Sequence, residues 1–289
     1  MSNTDRLVSI PPEDLLTLLD MYKVNWPRHL LSYQTIYHFF LWLQKNSSIE
    51  DLFVWSLNGS WRQNGTVIIK SHRDIHIATL DETHESLFRA LCLLDWSPGI
   101  LVCSFLEYMR PAPLRAIEKC RVPVAYDCSY KFFILAKEKA MDLQEVNLPE
   151  NITIKRLAVE DASVANDLWP YKKDGSLVFL ERMAKYNVAF SAYSSTGQLV
   201  GWVFVDSSLG IGTLHVVDEF RGRKIAQALV VKMCHYLSGT LNIDPHTFIV
   251  TNNYPSINLF KKLGFVENTE LGYWIQTKPF SENGAKLCA

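Results

Sequence analysis

Seven consecutive residues, Phe220-Arg-Gly-Arg-Lys-Ile-Ala226, set three cations and a glycine directly before a long apolar segment. A β-branched run, Ile211 to Val217, leads into them. A strand that turns into a helix exposes the helix's first backbone amides and the positive end of its dipole. Such an end holds anions, pyrophosphate among them. Successive amides in the turn add an anion-binding concavity, and Arg221, Arg223 and Lys224 add charge. A basic loop with solvated side chains has the same composition, so both readings stand at this point.

Three further residues could do chemistry. His215 lies in the strand before the turn, where a neutral imidazole can accept a proton from an amine. Packed in a sheet, it would instead be a half-buried histidine bonded to backbone. Strand alternation places it with Thr213 and Val217, on a face that could point into the core. Tyr254 could donate to a leaving thiolate, or simply start a helix. Asp218 and Glu219 read as solvated turn residues. Trp169, Trp202 and Trp274 read as core, one of them a possible wall for an acyl group.

The elements that must position these residues follow from periodicity. In the second half, Ile152–Leu157, Val188–Tyr193, Leu199–Val205, Ile211–Val217, Thr247–Thr251 and Leu271–Ile275 read as strands. Segments 160–169, 177–186, 225–237 and 256–263 read as helices. Ser194-Ser195-Thr196-Gly197 is a hairpin connection with glycine for a positive φ. Gly264 suits a left-handed helix C-cap with Phe265 packing back. The order is β, α, α, β, β, β, α, β, α, β, an α/β (α+β) sheet that is mixed but mostly antiparallel. The first half shows helices at Leu15–Leu19, Tyr33–Leu41 and Leu87–Leu94. Its strands are Val67–Lys70, Asp74–Ala78, Ile100–Phe105 and Lys131–Ala136, so it is α/β as well. The polar stretch Lys137 to Glu150 marks the junction, giving domains 1–140 and 150–280.

Composition sets the bounds. The 289 residues suit two domains, and 48% hydrophobic with 20% charged residues supports a buried core in each. With 29 basic and 30 acidic residues, the net charge of −1 leaves no footprint for a nucleic-acid backbone. Six scattered cysteines, Cys288 the last, show no metal-ligand spacing and read as reduced core thiols. No apolar run is long enough to span a membrane. The acids near the N-terminus do not suit a transit peptide, so a cytoplasmic location is expected.

The loop Phe220 to Ala226 resembles the pyrophosphate loop of the GNAT superfamily: Arg or Gln, two residues, Gly, one residue, then Gly or Ala. Arg221 and Ala226 match its ends, and Lys224 replaces the middle glycine. Asn253-Tyr-Pro-Ser-Ile-Asn-Leu-Phe-Lys-Lys-Leu-Gly-Phe265 is similar to the superfamily segment in which a strand ends at Asn and a helix ends in Leu-Gly-Phe. It follows the loop by about 30 residues, in the family's order. The spacing of Trp202, Asp206, Phe220 and Arg221 is similar to that of the glycine N-acyltransferase family. Trp26 to Ile69 loosely resembles that family's first half, itself GNAT-like, so two related folds are implied.

The resemblance implies acyl-CoA or acetyl-CoA as co-substrate and no metal. Arg221, Gly222, Arg223, Lys224, Ile225 and Ala226 would hold the pyrophosphate. A bulge would present Leu214, Val216 and Val217 to the pantetheine, with Asn253 and Phe260 beside the opened strand. Phe260 stands where the superfamily commonly has a tyrosine, and Gly210 where the family has a catalytic glutamate. The candidate catalytic residues are then His215 and Tyr254. The implied reaction moves an acyl group to a primary amine, glycine or another small amino acid. The competing class is a non-catalytic acyl-CoA-binding or interaction protein. Partners are the two small molecules, with no nucleic acid and no membrane; the oligomeric state stays open.

Overall fold

The structure, a computed structural model, describes residues 4–280. The chain divides into two compact units: residues up to Tyr130 together with those from Glu270 on, and Lys131–Thr269. It crosses from one unit to the other within two strands, near Tyr130 and again near Thr269.

The first unit runs β1 (Leu7–Ser9), α1 (Leu15–Met21), α2 (Leu30–Lys45), β2 (Leu52–Leu57), α3 (Trp61–Asn64), β3 (Val67–Ser71), β4 (Asp74–Ala78), α4 (Glu85–Leu91), β5 (Leu101–Leu106), α5 (Pro111–Lys119) and β6 (Val124–Ile134). Its strands pair antiparallel, except β4 and β5, which run parallel from Asp74 opposite Leu101. Ile68, Ile75, Val102, Phe105, Trp96 and Ile275 centre its core.

The second unit runs α6 (Lys137–Met141), β7 (Ile152–Arg156), α7 (Ala162–Leu168), α8 (Ser176–Tyr186), β8 (Ala189–Ser194), β9 (Leu199–Val205), β10 (Ile211–Val216), α9 (Ile225–Gly239), β11 (His246–Val250), α10 (Tyr254–Lys262) and the start of β12 (Val266–Thr277). Residues 270–277 of β12 belong to the first unit, antiparallel to β5. Strands β7 to β10 form one antiparallel sheet in the order β10-β9-β8-β7. All seven residues of β9 are buried, because helices cover both faces of this sheet. Helix α9 is apolar on most of its circumference: Leu229, Val230, Met233 and Leu237 are all sealed from water. Each such side chain contributes about 1.5–3 kcal/mol on burial.

The fold class is the expected one, and the order β, α, α, β, β, β, α, β, α, β runs from β7 to β12 as read from the sequence, although the last strand as read, Leu271–Ile275, falls in the first unit. The first unit repeats that order, with the short α3 inserted. Gly197 (φ +82°) and Gly264 (φ +90°) take the left-handed conformations read for them. Phe265 N donates to Phe260 O (3.1 Å), and the two rings meet edge to face.

The polar stretch read as a junction is different. Its first residues form α6, which packs on α9 with Ala140 fully buried. Asp244 Oδ1 accepts from Lys137 N (2.8 Å), and His235 Nε2 lies 2.9 Å from Leu143 O. Polar composition conceals this docking, because Ala140 and Met141 are the apolar contacts within an otherwise polar stretch. Sequence periodicity also missed β1, β2 and α5, and made β6 and β12 too short. Among the described residues no helix is long and apolar enough to cross a membrane. The five described cysteines are free thiols; Cys288 lies outside the described residues.

Candidate functional site

Strand β10 carries one extra residue against β9. Ile211 and Gly212 face Val205 and Phe204, whereas His215 and Val216 face Trp202 and Gly201. The shift falls at Thr213 and Leu214, and Thr213 has φ +52°. A β-branched residue in that region is a genuine outlier, costing about 1–3 kcal/mol, and such strain clusters at functional sites. The bulge leaves backbone groups of this stretch out of the ladder.

The bulge also reverses which side chains share a face. A Cβ added at Gly201 would meet Val216 Cγ2 at 3.1 Å and Ile225 Cγ2 at 3.3 Å, so this face of β9 looks toward α9. Trp202 occupies the opposite face, and His215 stands across from it with ring centroids 4.9 Å apart. His215 thus shares a face with Gly212, not with Thr213 as simple alternation gives. The imidazole is half-buried, and burial, then the nearby Arg221, lower its pKa against an opposing effect of Asp218. The indole of Trp202 is fully buried, and its Nε1 has no hydrogen-bond partner among the described residues.

Strand β11 stands beside the start of β10, where Thr247 Oγ1 donates to Ile211 O (2.8 Å). The two strands do not continue as one ladder: β10 pairs only with β9, and β11 pairs with β6. The two strands thus lie in different sheets, with the bulge on the β10 side. Leu214 is half-buried, and Val216 and Val217 are buried.

The turn after β10 leads to the start of α9. Gly222 (φ +76°) and Lys224 (φ +62°) are both left-handed, so Lys224 holds a backbone conformation that glycine adopts more readily. A Cβ at Gly222 would meet nothing within 4 Å. The backbone amides of Gly222, Arg223 and Lys224 have no partner among the described residues, and no side chain caps α9. Ile225 is buried and Ala226 half-buried in the first helical turn, whose amides also lack helical partners. Arg221 Nε donates to Val216 O (3.1 Å), tying the turn to the end of β10, and its guanidinium meets Asp218 (2.8 Å). Arg223 donates to Glu219 O (3.1 Å) and lies over the Phe220 ring. Lys224 is exposed.

The second motif serves α10. Asn253 Oδ1 accepts from Ser256 N (3.3 Å), which makes Asn253 the helix cap. Tyr254, at the helix start, is 66% exposed. Phe260 is 2% exposed and packed on Phe265, so it faces the core.

A cluster that the sequence did not reveal lies behind Gly210. Asp206 Oδ1 accepts from Ser208 N (2.8 Å), Ser208 Oγ (2.6 Å) and Gly210 N (2.9 Å), and His246 Nε2 stands 3.1 Å from Ser208 Oγ. A Cβ at Gly210 would come within 2.8 Å of His246 Nε2 and 2.9 Å of Asp206 Oδ2. Position 210 therefore has no room for a side chain. His246 is fully buried, which lowers its pKa to about 4 despite the charge of Asp206. Only adjacency in space links His246 to Ser208, 38 residues apart.

A family model described as FR47-like protein matches residues 190–275. The human glycine N-acyltransferase-like protein 2 is 24% identical over 130 residues, 45% of this chain and 44% of that protein. The chain thus spans less than half of that relative in the match. Among solved structures, a Drosophila protein superposes with a TM-score of 0.83 at 23% identity, covering 96% of this chain and 100% of that one. A tandem GNAT protein from the clavulanic acid biosynthesis pathway gives 0.55 at 12% identity, with the same coverage. These likenesses carry the fold, and the tandem arrangement agrees with the repeated element order in the two units. The loop at Arg221 and the Asn253 to Phe265 segment both fall within the FR47-like match, in a chain whose fold is similar to that of the tandem GNAT protein.

Proposed function

We propose that this protein transfers an acyl group from acyl-CoA to a primary amine, with glycine or another small amino acid as acceptor. The observation that carries the reading is the turn at Gly222 to Lys224. Three successive unpartnered amides and the start of α9 form an anion seat beyond the bulged strand β10. The pyrophosphate would lie on these amides and the first turn of α9, with Arg221, Arg223 and Lys224 around it. The pantetheine would run along Leu214 to Val217, beside Asn253 at the strand end. When bound, the acyl-CoA supplies a thioester, whose carbonyl the freed amides of the bulge could polarise. Holding thioester and amine together removes much of the barrier by itself.

His215 is the proposed proton acceptor. Its lowered pKa favours the neutral imidazole at pH 7, the form that accepts a proton from an ammonium group. Tyr254 is exposed and so free to approach a bound thiolate. Phe260 takes no such part, being packed in the core.

A second reading, a non-catalytic acyl-CoA binder, draws support from Gly210. Its neighbours leave no space for the family's carboxylate. Free-thiol release over a panel of acyl-CoAs and amines separates the two. Turnover with any pair supports the transferase, and binding without turnover supports the binder.

A further inference from the structure

The first unit repeats the backbone course that leads into α9. In both units an antiparallel hairpin, β3–β4 or β9–β10, leads through a short turn into a helix and then to the next strand, β5 or β11. The residue before the helix is left-handed in each: His84 (φ +56°) before α4 and Lys224 (φ +62°) before α9. The backbone geometry is shared, but the chemistry of the two turns is opposite.

In the second unit the turn carries three cations and its amides are open. In the first unit it reads Leu80-Asp-Glu-Thr-His-Glu85, with three acids and no lysine or arginine. Asp81 folds its carboxylate onto the helix start. Asp81 Oδ2 accepts from Ser86 N (3.1 Å), the second residue of α4, and Oδ1 accepts from Thr83 N (3.0 Å) and Thr83 Oγ1 (2.6 Å). Thr83 Oγ1 in turn accepts from Glu85 N (3.3 Å). Burial alone would raise the Asp81 pKa, yet the hydrogen bonds from Thr83 and Ser86 outweigh it and the net shift is downward. Two amides of this turn, Thr83 N and Ser86 N, are thus already paired with an anion of the chain itself, and Glu85 N with a hydroxyl. Glu82 and Glu85 are exposed on either side, paired with Arg28 (4.0 Å) and Arg115 (2.9 Å).

We infer that Asp81 is an internal occupant of the first unit's phosphate seat, so that each chain takes up one acyl-CoA, on the second unit alone. The inference rests on the proposed acyl-CoA site of the second unit. It adds that the repeated fold has divided its roles, the first unit having exchanged a ligand for a carboxylate.

Calorimetric titration of the full chain with acetyl-CoA and longer acyl-CoAs, paired with amide hydrogen exchange, tests both levels. The expected result is one ligand per chain, with slowed exchange over 218–230 and none over 79–91. Two ligands per chain, or slowed exchange over 79–91 with any of them, overturns the inference while leaving the second unit's site intact. No binding by any acyl-CoA to folded protein overturns the proposed site and the stoichiometry together. An Arg221→Ala and Arg223→Ala double variant supplies the cross-check. Its affinity falls at least tenfold if the single site lies on the second unit. An unchanged affinity at one ligand per chain places the site elsewhere and refutes the assignment.

Discussion

His215 and Trp202 face each other across β10 and β9 with ring centroids 4.9 Å apart, on the sheet face turned away from α9. That pairing exists because Thr213 and Leu214 insert one residue into the strand. Remove the bulge, and period-two alternation puts His215 on the α9 side.

The first prediction concerns this histidine. His215→Gln should lower turnover by about 10²-fold, the usual size of a general-base contribution. In the wild type the acidic limb of the rate profile should fall below pH 6.5, because burial and Arg221 depress the pKa. The variant should lose that limb. Full turnover with an unchanged profile in His215→Gln would assign the residue to packing against Trp202.

Arg221 should matter to ligand affinity twice over, through its charge and through its bond to Val216 O. Arg221→Ala is expected to weaken acyl-CoA binding by about 1–3 kcal/mol, as for charge-assisted phosphate contacts. Arg223→Ala should cost less, since that side chain is folded onto Glu219 O and Phe220. Titration calorimetry of both variants reads the order; a reversed order would discard this geometry.

Gly210 gives a test of packing. Gly210→Ala should destabilise the protein by about 1–3 kcal/mol, the cost of overpacking, because the new methyl meets His246 Nε2 and Asp206 Oδ2 inside 3.0 Å. Gly210→Glu should destabilise as well and raise turnover no higher than that of the wild type. Denaturant midpoints measure the first effect. A neutral Gly210→Ala would show that the Asp206–Ser208–His246 cluster yields easily.

His246 makes stability depend on pH. Its folded pKa of about 4 lies below the ordinary histidine value of 6.5, so the unfolded chain binds the extra proton between them. Its share of stability is complete above pH 6.5. It is lost as pH falls toward 4, by at most about 1.4 kcal/mol per pH unit for one proton. Urea unfolding at several pH values checks the slope, and His246→Phe should flatten it over that window.

Much of the second unit was legible in the sequence. The order of strands and helices, the hairpin at Gly197 and the cap at Gly264 depend on local periodicity and turn chemistry, which neighbouring residues carry. The loop from Phe220 to Ala226 was legible for the same reason: its cations, its glycine and the helix after it are contiguous. What contiguity cannot express, tertiary structure decided. The docking of α6 on α9, the sharing of β12 between two units, the core placement of Phe260 and the meeting of Asp206, Ser208 and His246 each join residues far apart in the chain. The bulge at Thr213 belongs with them, although it is local. An extra residue in one strand has meaning only against the register of its partner, and that register is set by which side chains of β9 the helices on either face bury.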